Sequence, residues 1–191
     1  MAAVSLLERF PRSVRTGAVA IWCLVSSCQR PENDANATYA RIVATRRSEP
    51  KNAVIEAEKA YRRFGAARSE TAWRFRLLYA DVLLDSDQAK LAADLLRGEP
   101  PTGPRHADLA AWLAASQVRL AFANGDSELA QMRQAKAIAL LPGSRDPCLR
   151  AQLLSTEIQT LIFSSQFQES SSRLAEMTKA VKSCPDPYWE A

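Results

Sequence analysis

The sequence predicts an all-α protein of antiparallel helix hairpins, and three observations carry that expectation. Alanine and leucine recur at three- and four-residue spacing over most of 37–184, the period of helices that each bury one face. No run alternates Val, Ile or Thr with polar residues as a half-buried strand would, and only 6 glycines interrupt 191 residues. The breaks are short: Glu49-Pro50, Asp85-Ser86-Asp87, Gly125-Asp126 and Ser164-Ser165-Gln166 each join helices that must lie side by side and reverse direction. With 47% hydrophobic residues the chain can bury a core.

Residues 1–28 read as an export signal. Arg9, Arg12 and Arg15 make a charged start, and an uncharged stretch rich in Ala, Val, Ile, Trp and Leu follows from Thr16. Its 14 residues to Gln29 fall short of the roughly 20 that a membrane-spanning helix requires. The stretch ends in Val25-Ser26-Ser27-Cys28, which resembles the lipobox of bacterial lipoproteins: an aliphatic residue, two small residues and a cysteine. That resemblance implies cleavage before Cys28, diacylglycerol on its thiol, and a lipid-anchored protein at the periplasmic side of a bacterial cell envelope; plain secretion is the alternative. More than one acyl chain is needed for stable anchoring, at about 0.8 kcal/mol per buried methylene. Residues 29–36, with Pro31 and a run of Asn, Asp and Glu, hold little to bury and are expected to form a flexible tether.

The repeat domain is expected over 37–184. Its first hairpin pairs 37–47 with 51–64, with Pro50 at a helix start and Gly65 at a helix end. The second begins with Ser69 as N-cap, carries Trp73, Phe75, Leu77, Leu78, Val82 and Leu84, and resumes over 89–97. A connector with Pro100, Pro101 and Pro104 cannot be helical throughout and should be an exposed, protease-sensitive link. The third hairpin spans 110–142, AWLAASQVRLAFANGDSELAQMRQAKAIALLP, and the fourth runs from the capping pair Asp146-Pro147 to Cys184-Pro185. Trp73, Leu77, Leu113, Leu120, Leu153 and Leu161 are the expected core.

Within the third hairpin Ala130, Ala137 and Pro142 fall at the spacing of the small residues and closing proline of a tetratricopeptide (TPR) repeat, and the whole array resembles that family. Corresponding small positions, Ala53, Ala89, Ala130 and Ser170, recur at 36, 41 and 40 residues against a family period of about 34, the excess falling in longer connectors. The resemblance implies helix pairs stacked as a right-handed solenoid, whose first helices line a concave groove for a protein or peptide partner. Carried over by turn position, Arg74, Trp112, Arg119, Phe122 and Gln159 would face that groove. Residues 185–191 read as the start of a further repeat or a truncated end. The order of leader, lipobox and degenerate repeats also resembles the front of proteins ending in a caspase-like CHAT peptidase domain, which makes the N-terminal part of such a peptidase the alternative reading.

Other function classes find little support. Setting aside the +2 of Arg9, Arg12 and Arg15 against Glu8, the formal charge of +4 falls to about +2, too little and too scattered for phosphate neutralisation, so no nucleic-acid partner is expected. Cys23, Cys28, Cys148 and Cys184 contain no CxxC pair, and the single histidine, His106, is far from all four, so neither metal nor cofactor is expected. No nucleophile with a base, paired carboxylates or phosphate loop appears, and the chain is expected to be no enzyme. Asp85, Asp87 and Asp126 read as turn residues, and Arg46-Arg47, Arg62-Arg63 and Arg74 with Arg76 as solvated helix faces.

Two cysteines carry the sharpest expectation. Cys148 opens the first helix of the fourth hairpin and Cys184 follows the end of the second, and in an antiparallel pair of equal lengths those points meet at one end. Adjacent axes about 8 to 10 Å apart allow the roughly 4.4 to 6.8 Å Cα separation of a disulfide.

Overall fold

The computed structural model describes residues 30–65, 69–143 and 146–184. Eight α-helices and no strand occur among them: α1 (Arg30–Thr45), α2 (Pro50–Phe64), α3 (Glu70–Asp85), α4 (Ala89–Leu95), α5 (Ala107–Ala123), α6 (Ser127–Leu140), α7 (Pro147–Phe163) and α8 (Phe167–Lys182). Short 3-10 turns, Pro104–His106 and Leu141–Gly143, precede α5 and follow α6. The chain divides into two compact units, 1–38 and 39–191. The described part of the first is the opening of α1, where Ala35 is buried; every contact below lies within the second.

Local chemistry explains the boundaries. Ser69 caps α3, its Oγ accepting the Ala72 N–H at 3.2 Å. Asp126 accepts the Leu129 N–H at 2.9 Å where α6 begins, and Gly125 supplies the positive φ of 74° that the preceding turn requires. Asp146 caps α7, taking the N–H groups of Cys148 and Leu149 at 2.8 and 3.3 Å, with Pro147 in the first turn, where a missing N–H costs nothing. One boundary corrects the expectation. Residues 30–36 are helical where an irregular tether was expected. Cys28, the rest of the expected leader and residues 185–191 lie outside the described residues.

Neighbouring helices pack as hairpins, α5 with α6 and α7 with α8 most extensively, while α2 packs on α3 and α3 on α4. The first members also touch in succession, α3 with α5 and α5 with α7. Small residues permit the close crossings: Ala53, Ala130 and Ala137 are fully buried, and Ser170 is buried on α8. Leu77, Leu83, Leu95, Leu109 and Leu113 form one core region, and Val118, Leu149 and Leu153 with the alanines of α5 and α6 form the next. Of the expected core, Leu77, Leu113, Leu120 and Leu153 are buried, whereas Trp73 and Leu161 are half-buried.

Cys148 and Cys184 stand at disulfide distance, Cα–Cα 4.8 Å, closing the open end of the α7–α8 pair. The proline-rich connector is exposed at Glu99 and over 102–105, as expected, but the segment leading into it is tied down. Pro100 is buried, Arg76 donates to the backbone oxygens of Leu95 and Arg97, and the Gln117 amide donates to Leu96 O at 3.0 Å, so 95–97 are bound on both sides.

Candidate partner-binding groove

A groove of about 260 Å³ is lined by one face of each first helix: Tyr39, Val43 and Arg46 of α1, Glu70, Arg74 and Asp81 of α3, Asp108, Leu109 and Trp112 of α5, and Cys148, Leu149 and Gln152 of α7. Arg105 and Asp146 border it from the turns ahead of α5 and α7. That composition follows from the hairpin pattern, because every second element returns to the same side of the array.

The organising group is Asp81. Its side chain is 1% exposed, in the middle of the apolar run Leu77 to Leu84, and it accepts hydrogen bonds from α5 and α7. Trp112 Nε1 donates to Oδ2 at 2.7 Å, Ser116 Oγ to Oδ1 at 2.8 Å and Arg119 Nη1 to Oδ1 at 3.1 Å; Gln152 Nε2 reaches Oδ2 at a long 3.4 Å. Arg119 also pairs with Asp85, whose other oxygen faces Arg46 Nε at 3.6 Å. A buried carboxylate is tolerated only when its lone pairs are filled, and here two helices, α5 and α7, supply the donors. With both oxygens occupied, Asp81 is poorly placed to serve as a general base.

Two aromatic rings, Tyr39 and Trp112, stand in the wall beside the charged groups. Tyr39 meets Phe75 and Trp112 edge-on, with centroids 6.2 and 6.3 Å away, and the Arg74 guanidinium lies 4.7 Å from the Tyr39 centroid. Burial pushes the Tyr39 phenol up to about 12; Arg74 opposes that shift and Asp81 adds to it. Glu70 on the rim lies 3.6 Å from His106 Nδ1. Such a surface can stack, hydrogen-bond and pair charges. Among the described residues, no group of three or more His, Cys, Asp or Glu side chains could hold a metal ion.

The expected groove residues divide. Arg74 and Trp112 line it. Arg119 lies behind it, its side chain 22% exposed and engaged with Asp81 and Asp85. Phe122 stacks on Phe163 at 6.1 Å near the far end of α5, and Gln159 is exposed there on α7. Three arginines expected on solvated faces are engaged instead: Arg46 with Asp85, Arg74 over Tyr39, and Arg76 over the Trp73 ring and on the α4 carboxyl end. Arg62, on Glu58, does lie at the surface. Asp85, read as a turn former, is an ion-pair partner because it shares the helix face of Asp81, four residues earlier.

Asp81, Tyr39 and Arg105 are groove residues that the sequence reading passed over. For Asp81 a signal existed: a lone acid in an apolar helical run must be neutralised, and Trp112, Ser116 and Arg119 recur at the four- and three-residue spacing that presents donors from one face. A comparison of the chain with protein-family models, with curated proteins and with solved structures finds no match in any of the three.

Proposed function

We propose that the protein is a non-enzymatic interaction scaffold, a TPR-like right-handed stack of hairpins whose groove holds an extended peptide or a helix of a protein partner. The observation that carries this reading is the groove's construction: all four first helices contribute side chains to one concavity, and none of the intervening second helices does. Aromatic rings beside paired charges suit a partner that offers both apolar and polar groups. The lipobox-like Val25-Ser26-Ser27-Cys28 adds that the scaffold is tethered by lipid on Cys28 at the periplasmic or outer face of a bacterial membrane.

Site-directed photocrosslinking tests the groove. A benzophenone amino acid at position 74 or 112 should give adducts in cells of the source organism, and the same probe at Ile55, exposed on α2, should not. Equal labelling at all three positions, or none at 74 and 112, would sink the groove assignment. Metabolic labelling with an alkyne fatty acid tests the anchor separately: label should enter the wild-type chain and be lost in Cys28→Ala, and an unlabelled wild type removes the lipid from the proposal.

A further inference from the structure

Among the described elements α8 packs substantially on α7 alone. The apolar cluster joining them has three buried members, Ala151, Leu154 and Ala180, with Met177 and Val181 half-buried beside them. Two of those three are alanines, and another buried α8 position, Ser170, is polar. The larger apolar groups of α8 point elsewhere: Phe167 is 63% exposed and Leu174 49%. The opposite face of α7 is held differently, by Leu149 and Leu153 within the nine-residue cluster shared with α5 and α6. Arg173 reaches Glu157 at 3.0 Å, but it also meets Glu176 and Glu169, so one cation is shared among three carboxylates. The α7–α8 contact is therefore long but buries few large apolar groups, and α8 has α7 as its one substantial neighbour among the described elements, whereas α7 is also held by α5 and α6. A covalent tie joins the pair as well, Cys148 to Cys184, 36 residues apart in sequence, at the end opposite the 164–166 turn.

We propose that this disulfide is a thiol-operated latch: reduction by a dithiol releases α8 from α7 while α2 to α7 stay folded. Cys184 is buried, whereas Cys148 is half-buried and borders the groove, so the reductant's thiolate attacks Cys148 Sγ. A sulfur–sulfur bond to the reductant forms as the bond to Cys184 breaks, and Cys184 leaves as a thiolate that takes a proton from water. The second thiol of the reductant then displaces Cys148. The protein gains two thiols, and the dithiol ends as a cyclic disulfide. Release uncovers the α7 face bearing Ala151, Leu154 and Glu157, while the groove side of α7 keeps its contacts with α5. The inference is independent of what the groove binds.

Hydrogen exchange read by mass spectrometry on the full chain, air-oxidised and then treated with dithiothreitol, is the test. Reduction should speed exchange over 167–182 by on the order of 100-fold, leave α5 and α6 unchanged, and reverse on reoxidation. The C148S/C184S double variant should show the fast α8 without reductant and not respond to it; should it fail to fold, reduced wild type carries the same comparison. Unchanged α8 exchange once alkylation shows Cys148 and Cys184 both free, loss of protection throughout 50–163, or alkylation of Cys148 and Cys184 in the air-oxidised chain would each overturn the latch.

Discussion

Replacing Asp81 with alanine removes one side chain from α3 and strips partners from two other helices. The Trp112 indole N–H and the Ser116 hydroxyl lose the acceptors at 2.7 and 2.8 Å, while Arg119 loses one of its two carboxylates and keeps Asp85. Hydrogen bonds to a charged group contribute roughly 1.5 to 3 kcal/mol, and each orphaned buried donor costs about 1 to 3 kcal/mol. The cavity admits some water from the groove side and Arg119 is partly solvated, so the sum is discounted to about 3 to 5 kcal/mol, the range for breaking a buried pair. Asp81→Asn should cost less, about 2 to 3 kcal/mol, because one oxygen remains and the new amide opposes the donors on only one side. Urea unfolding of the oxidised chain, followed by circular dichroism at 222 nm, gives both values. Trp112→Phe removes one donor and should couple to Asp81→Asn by about 1 kcal/mol in a double-mutant cycle. A loss under about 1 kcal/mol for Asp81→Ala, the scale of a surface change, would refute the argument that this carboxylate ties α3 to α5.

Further consequences are open to measurement. Ala130 is fully buried at the α5–α6 crossing, so Ala130→Leu should lower stability by about 1 to 3 kcal/mol in the same urea assay; a neutral effect would mean that the small residue is not what sets the spacing. The Tyr39 phenol, raised from 10.0 to about 12, binds its proton more tightly in the native than in the unfolded state, so stability should fall as pH rises from 10 towards 12. Tyr39→Phe should lose less stability than wild type between pH 9 and 11, and parallel profiles would contradict that. Burial also raises the Glu157 carboxyl above 4.5 despite the opposing Arg173. Its contribution is therefore full below that pH and is lost as pH rises through the raised value. Against Glu157→Gln, wild type should lose ground as pH increases from 4, and a gain would reverse the assignment.

Most of the helix boundaries were legible because local chemistry sets them. Ser69, Asp146 and Gly125 each satisfy or redirect a backbone group within three residues, and Cys148 and Cys184 meet because helices of 17 and 16 residues return the chain to its starting level. The misreadings arose where the deciding partner is remote. Nothing adjacent to Pro100 announces that it is buried, nor that Arg76 and Gln117 hold the segment ahead of it from helices about twenty residues away. Arginines read as solvated for the same reason: a charge run on one helix gives no sign of the carboxylate or aromatic ring across the interface, and Arg46 finds Asp85 only after two intervening helix ends bring them together.

The groove shows where helical phase and axial position part company. Arg74 and Asp81, Trp112 and Arg119, and Gln152 and Gln159 are pairs seven residues apart, so each pair shares one helical stripe and differs by two turns, about 10 Å, along the axis. Sequence periodicity fixed the stripe and thereby the face. It carried no information on which turn of one first helix lies level with which turn of the next, because that offset depends on the connectors and on how the second helices seat. On α7 the groove falls at the first turns, so Gln152 borders it and Gln159 lies beyond it; on α5 it falls at Trp112, and Arg119 sits one layer behind. Asp81 is what levels the three helices, since its two oxygens can receive Trp112, Ser116, Arg119 and Gln152 together at only one axial offset. Neutralising it should therefore loosen the register of the groove walls as well as lower stability, and the benzophenone adducts at position 74, where the probe leaves the Trp112 donor in place, should weaken in Asp81→Asn under conditions where that variant remains fully folded.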